Sequence, residues 1–227
     1  MVPNINIQQD QSNPFYDLVK TIYRYYAIGV GEPNTFYKGY QDLTNIITEK
    51  INRLIAGDMP VVCAELSGEV KQAFPNYTVR TSYHKQFPNY AIEIELPKKE
   101  YPEIHLIYHL KLRISLLTKY YTLFFEEMTL HQNIKSGLSG QQPLRSIAVS
   151  SALTNLPESE QMVTALKEII KKIFPDYHFV SHRLLMSRKI KGGYPHGADH
   201  NPYKDEFSIY NFLFDNEYEV FPGISIC

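Results

Sequence analysis

IHLIYHLKLRIS, residues 104–115, decides the fold class. Leu106, Tyr108, Leu110, Leu112 and Ile114 fall at every second position, with His105, His109, Lys111 and Arg113 between them. Successive side chains of an extended chain point to opposite faces, so this alternation gives one apolar row and one polar row on a strand. A helix would scatter both sets around its circumference. YAIEIEL (90–96), just upstream, alternates in the same way, with Tyr90, Ile92, Ile94 and Leu96 set against Glu93 and Glu95. LLTK (116–119) turns the chain into YYTLFFEEM (120–128), and YTVRTSY (77–83) supplies a strand before the pair. These four segments are expected to form an antiparallel meander with one apolar face and one partly solvated face.

Before Pro75 the period is helical. Asn13 and Pro14 make an N-cap followed by proline at the first helical position, and Phe15, Leu18, Val19, Ile22, Tyr23 and Tyr26 follow as one stripe. GVGEPN (29–34) breaks that helix, a second covers 37–56 with Gly57 as its C-cap, and GDMP (57–60) opens a third that Pro75 ends. After the meander, SGLSGQQP (136–143) is a loop. A long helix spans 157–174, with Asn155 and Glu158 as a capping box and Met162, Val163, Leu166, Ile169, Ile170, Ile173 and Phe174 as its apolar stripe. YHFVSHRLLM (177–186) is expected as a fifth strand and FSIYNFLF (207–214) as a sixth.

Helices followed by strands, without βαβ alternation, indicate an α+β fold. The expectation is one domain with a mainly antiparallel sheet of about five to six strands, N-terminal helices and the 157–174 helix packed on one face. Residues 1–12 are a flexible polar segment and 13–227 form the domain: helical at 13–75, meander at 77–128, helix plus strands at 157–214. VKQAFPNYTV (70–79) and IKKIFPDYHF (170–179) echo each other at an offset of 100 residues. The simplest account is one helix-to-strand connection solved twice: proline terminates, Asn or Asp turns, and Tyr begins a strand.

A net charge of −1, from 23 Lys+Arg against 24 Asp+Glu, lacks the basic excess by which proteins neutralise phosphate, so nucleic acid is not signalled. SRKIK (187–191), the longest basic cluster, is accounted for as a solvated strand end. The first residues have neither a basic n-region nor an apolar h-region, and no run has the length of a membrane span. The chain is therefore expected to be cytoplasmic with no membrane partner. Two cysteines, Cys63 and Cys227, are too few for a disulfide framework, and Cys63 sits in an apolar helical stretch as a small core residue.

Six of the eight histidines stand in H-x-x-x-H pairs: His105 and His109, His178 and His182, His196 and His200. Zinc ligands at that spacing need a helix, because strand residues four apart lie about 13 Å from one another. None of the three pairs has a helical pattern around it. A composite site remains conceivable if the third and fifth strands are neighbours, with His105 and His182 meeting across them and His196, Asp199 or His200 added from the loop PHGADH (195–200). Ordinary strand-face and loop roles are favoured, and no stoichiometric metal is expected. H-E-x-x-H, paired C-x-x-C, Walker A and G-x-G-x-x-G patterns are all missing, so no cofactor is expected. Glu126 and Glu127 are adjacent in a strand and point to opposite faces, which makes them a poor catalytic pair.

The function these features favour is non-catalytic: an intracellular protein that binds another protein, such as a toxin-neutralising immunity protein or an adaptor. Its interface candidates lie in KYYTLFFEE (119–127): Tyr120, Tyr121, Phe124, Phe125, Glu126 and Glu127, since aromatic residues beside charges are typical of interfaces. A metal-assisted hydrolase using the composite histidine site is the first alternative. A subunit of a larger structural assembly is the second. On the long helix, truncating Leu166 or Ile170 is expected to cost about 2–5 kcal/mol, and truncating Lys167 on the other face less than about 0.5 kcal/mol.

Overall fold

A computed structural model of the chain describes residues 14–30, 34–136, 142–153, 156–198, 206–216, 218 and 224–226. Three helices come first: α1 (Pro14–Tyr25), α2 (Lys38–Ile55) and α3 (Val61–Ala73), each where the apolar stripe places it. Gly57, with φ +74°, follows α2 in the left-handed conformation that only glycine adopts without strain. Gly39 matters for a different reason. α2 crosses α1 so closely there that a Cβ would sit 1.8 Å from the Arg24 carbonyl oxygen. Asn13 and the segment 1–12 lie outside the described residues.

The period-two segments pair as a meander. β1 (Thr78–Thr81), β2 (Asn89–Glu100), β3 (Ile104–Ser115) and β4 (Tyr120–Ser136) are antiparallel neighbours in chain order. β5 (Gln142–Ser150) adds a fifth antiparallel strand. Two short parallel pieces complete the sheet: β6 (His178–Phe179) beside the start of β4, and β9 (Ile224–Ile226) beside β5. α4 (Ser159–Ile173) packs on the face carrying Ile92, Ile94, Leu110, Leu112 and Phe125, with Leu166 and Ile170 completely buried. The fold is α+β, as expected.

Five expectations are corrected. β4 runs on to Ser136, and β5 begins at Gln142, inside the stretch assigned to a loop; residues 137–141 of that stretch lie outside the described residues. In 177–186 only two residues are strand, after which α5 (His182–Ser187) starts under a Ser181 cap whose Oγ accepts from the Arg183 N–H at 3.2 Å. In 207–214 a short β8 (Glu206–Ser208), paired with β7 (Lys189–Lys191), gives way to α6 (Ile209–Leu213). A continuously apolar run has no period to separate helix from strand, and the deciding signal was Ser208 and Asn211, which cap each other reciprocally. At the long helix the N-cap is Glu158, with no side-chain cap bond; Asn155 lies outside the described residues.

The fifth correction positions the site. The second face of the sheet is not left to solvent. α1, α2, α5 and α6 cover it with Leu18, Ile22, Tyr26, Leu43, Leu185, Tyr210 and Phe212, packed on Phe124 and Val149. The sheet is therefore the middle of three layers, and the polar row of β3 faces a helical layer.

The echoed connection proves alike in backbone. Phe74 and Phe174 end their helices at φ −125°, ψ 60° and φ −124°, ψ 67°, and the Tyr77 and Tyr177 N–H groups donate back to their carbonyls at 3.1 and 3.0 Å. One leads into β1 at the sheet edge, the other into β6.

Candidate functional site

Register brings the polar rows together. Glu93 on β2 lies opposite Lys111 on β3, Glu95 opposite His109, and Glu126 on β4 opposite His109 from the other side. All share the face covered by α6 and the segment after it. From that segment Asp215 enters between the strands, and its Oδ2 accepts from Arg113 Nε at 2.9 Å, Tyr210 OH at 3.1 Å and Asn89 Nδ2 at 3.2 Å. Arg113 also donates to Glu93 Oε1 at 2.8 Å, and Lys111 reaches Glu126 Oε2 at 3.0 Å. Charges thus alternate along the buried face: Asp215, Arg113, Glu93, Lys111, Glu126. Burying an ion costs several kcal/mol unless partners replace its water, and here each charge has an opposite neighbour. Lys50 on α2 is a further buried cation, with Nζ donating to the Lys85, Phe87 and Asn89 carbonyls at 2.7, 2.7 and 3.2 Å. Burial pushes its ammonium pKa down to about 8.

Glu126 is the most tightly held carboxylate that also reaches a histidine. Burial alone would raise its pKa, but the His109 hydrogen bond, the Lys111 charge and the Tyr218 hydroxyl outweigh that and lower it to about 2. An ionised carboxylate only accepts, so the 3.1 Å contact from His109 Nδ1 to Glu126 Oε1 puts the ring proton on Nδ1. Because the folded value lies below the ordinary value of 4.5, this group adds stability above that pH and loses it as pH falls through about 2. Urea midpoints measured from pH 6 to pH 2 should therefore fall more steeply for the native chain than for Glu126→Gln. Parallel curves would show that Glu126 is not so held.

Beside His109 the sheet edge carries a notch. β2 carries an extra residue between Leu96 and Lys99, and β1 begins at Thr78, opposite Glu95. The strands part there around a hollow of about 470 Å³ lined by Thr78, Glu95, Leu96, Pro97, Tyr108 and His109, among others.

The expected site residues scatter. His105 pairs with Leu130 on β4, whereas β6 joins β4 at Tyr120, ten positions away, so His105 and His182 do not meet. His182 sits buried in α5 against the Phe124 ring. His196 packs on Tyr40, whose hydroxyl lies 3.1 Å from its Nδ1, and burial lowers its pKa. Asp199 and His200 lie outside the described residues, as does Cys227. Among the described residues, no group of three or more His, Cys, Asp or Glu side chains could hold a metal ion. Tyr120, Tyr121, Phe124, Phe125 and Glu126 are all buried, and Glu127 is half-buried. Their aromatic density builds the two cores, Tyr121 and Phe125 on one face and Tyr120 and Phe124 on the other, rather than an exposed patch.

Exposed apolar surface lies elsewhere. At the corner joining α2 to α3, Ile55 is 81% exposed, Met59 41%, Val61 80% and Val62 38%. α3 turns Cys63, Leu66 and Val70 inward, which leaves its first two valines facing out. Ile55 and Val62 both fall within helical apolar spacing, so periodicity alone does not reveal this corner.

No protein-family model, curated protein or solved structure matches the chain. No helix among the described residues is long and apolar enough to cross a membrane.

Proposed function

We propose that the protein acts by binding another protein without catalysis, and that the α2–α3 corner is its contact surface. The observation that carries this is the group of four exposed apolar side chains, Ile55, Met59, Val61 and Val62, within eight residues. Apolar surface left in water costs free energy, and exposed apolar side chains gathered in one short segment favour a contact role. The aromatic segment 119–127 supports the fold beneath rather than the contact. The partner this corner suits has an apolar groove or patch with a polar rim, as the target of an inhibitor or an adaptor would. Ile55→Lys/Val61→Lys tests it, since both positions are exposed and the change leaves the core intact. The double variant is expected to melt with the native chain and to lose the protein that the tagged native chain retains from its own cells. Equal retention by both would exclude the corner. A dimer of the native chain that the variant abolishes would reassign the corner to a second copy and reject a separate partner.

A further inference from the structure

We propose that His196 is an acid-sensitive clasp: while neutral it ties the loop 194–198 to the segment 82–88 that joins β1 to β2, and protonation lets the two part. Three contacts make the clasp. The imidazole donates to the Gln86 backbone carbonyl, its Nδ1 lies 3.1 Å from the Tyr40 hydroxyl, and the backbone N–H of His196 donates to the Tyr26 hydroxyl. Tyr26 in turn donates to the Phe212 carbonyl at 2.7 Å. The two segments also meet beside the ring, since a Cβ on Gly197 would stand 3.0 Å from the Phe87 ring. Asn216 Nδ2 donates to the Gly197 carbonyl at 2.9 Å and holds the loop from its other side.

What surrounds the ring makes the clasp sensitive to protons. The titratable groups facing it are Tyr26 on α1 and Tyr40 and Lys50 on α2, and among the described residues no carboxylate pairs with it. Lys50 grips the Lys85 and Phe87 carbonyls at 2.7 Å each, on either side of the carbonyl that His196 holds. A charged imidazole would therefore put a second cation beside the first in a half-buried place. Opening gives that charge to water instead. Burial and Lys50 together outweigh the Gln86 bond and hold the ring's pKa below its ordinary value of 6.5. The clasp is therefore fully effective above that value and is lost as pH falls through the lower folded one. Release also reaches α3, because Tyr83 in the same segment donates to the Cys63 carbonyl at 3.3 Å.

Hydrogen exchange of the full chain, read by mass spectrometry and corrected for the intrinsic pH dependence of exchange, tests the clasp. Between about pH 7.5 and 5, peptides covering 82–88 and 194–198 should lose protection severalfold, while those covering α4 keep theirs. His196→Gln still donates to a carbonyl and accepts from a hydroxyl but does not titrate, so its protection should stay level across the range. His84 lies on the same segment but is exposed, and His84→Gln should respond to acid as the native chain does. Should His196→Gln fail to fold, NMR titration of the native imidazole keeps the test open: the ring should titrate below 6.5, in step with the loss of protection. Level protection in the native chain, an equal loss in His196→Gln, a response abolished by His84→Gln, or a ring titrating at 6.5 or above would each overturn the clasp.

Discussion

Arg113→Met is expected to lower unfolding free energy by about 3–5 kcal/mol, because removing one partner of a buried ion pair strands the others. The Arg113 side chain is 1% exposed and lies between Asp215 at 2.9 Å and Glu93 at 2.8 Å, so its loss leaves two carboxylates facing each other in the interior. Methionine fills much of the arginine volume, which separates the charge effect from a cavity. The double variant Arg113→Met/Asp215→Leu should recover part of the loss, since Glu93 still has Lys111 at 3.7 Å. Denaturant unfolding at neutral pH measures both. A loss under about 1 kcal/mol for the single variant would mean that water reaches the pair, and the described burial would be wrong.

Leu166→Ala should cost about 2–5 kcal/mol, and Ile170→Ala a similar amount. Both are fully buried between α4 and the β2–β4 face, where the surrounding strands cannot collapse into the space left behind. Lys167 differs from its sequence-based expectation. Its ammonium stands 4.2 Å from the Phe179 ring centroid, so Lys167→Ala should cost about 0.5–1 kcal/mol rather than less, as a half-exposed cation–π contact is lost. Equal losses at positions 166 and 167 in the same urea series would put the stripe on the wrong face.

How much of this was legible in the sequence varies along the chain. Alternation in 90–96 and 104–115 was sufficient for the strands, because polar and apolar residues were separated by position. The His109–Glu126 pair was also within reach. With a turn at 116–119, Ser115 stands opposite Tyr120, and stepping back on β3 while stepping forward on β4 brings His109 to Glu126. What hid it was the assumption that a polar row faces water. Lys111 and Arg113 look like surface residues until the partner that buries them is known, and that partner, Asp215, arrives from more than a hundred positions away. α6 was hidden for the opposite reason: residues 209–213 are all buried, so their pattern holds no face. The α2–α3 corner could be found only by knowing which way α3 rolls.

The distance between Arg113 and Asp215 along the chain also orders the assembly in time. β2, β3 and β4 are joined by short hairpins, so their contacts close small loops and form early. The segment carrying Asp215 must close a loop of 102 residues before its first ion pair exists, and the parallel pairing of β9 with β5 also joins distant parts of the chain, Ile147 with Ile224. That segment is expected to dock after the folding barrier has been crossed. Its interactions then act as a lock on the finished structure, and losing Asp215 should speed unfolding while leaving the folding rate almost unchanged.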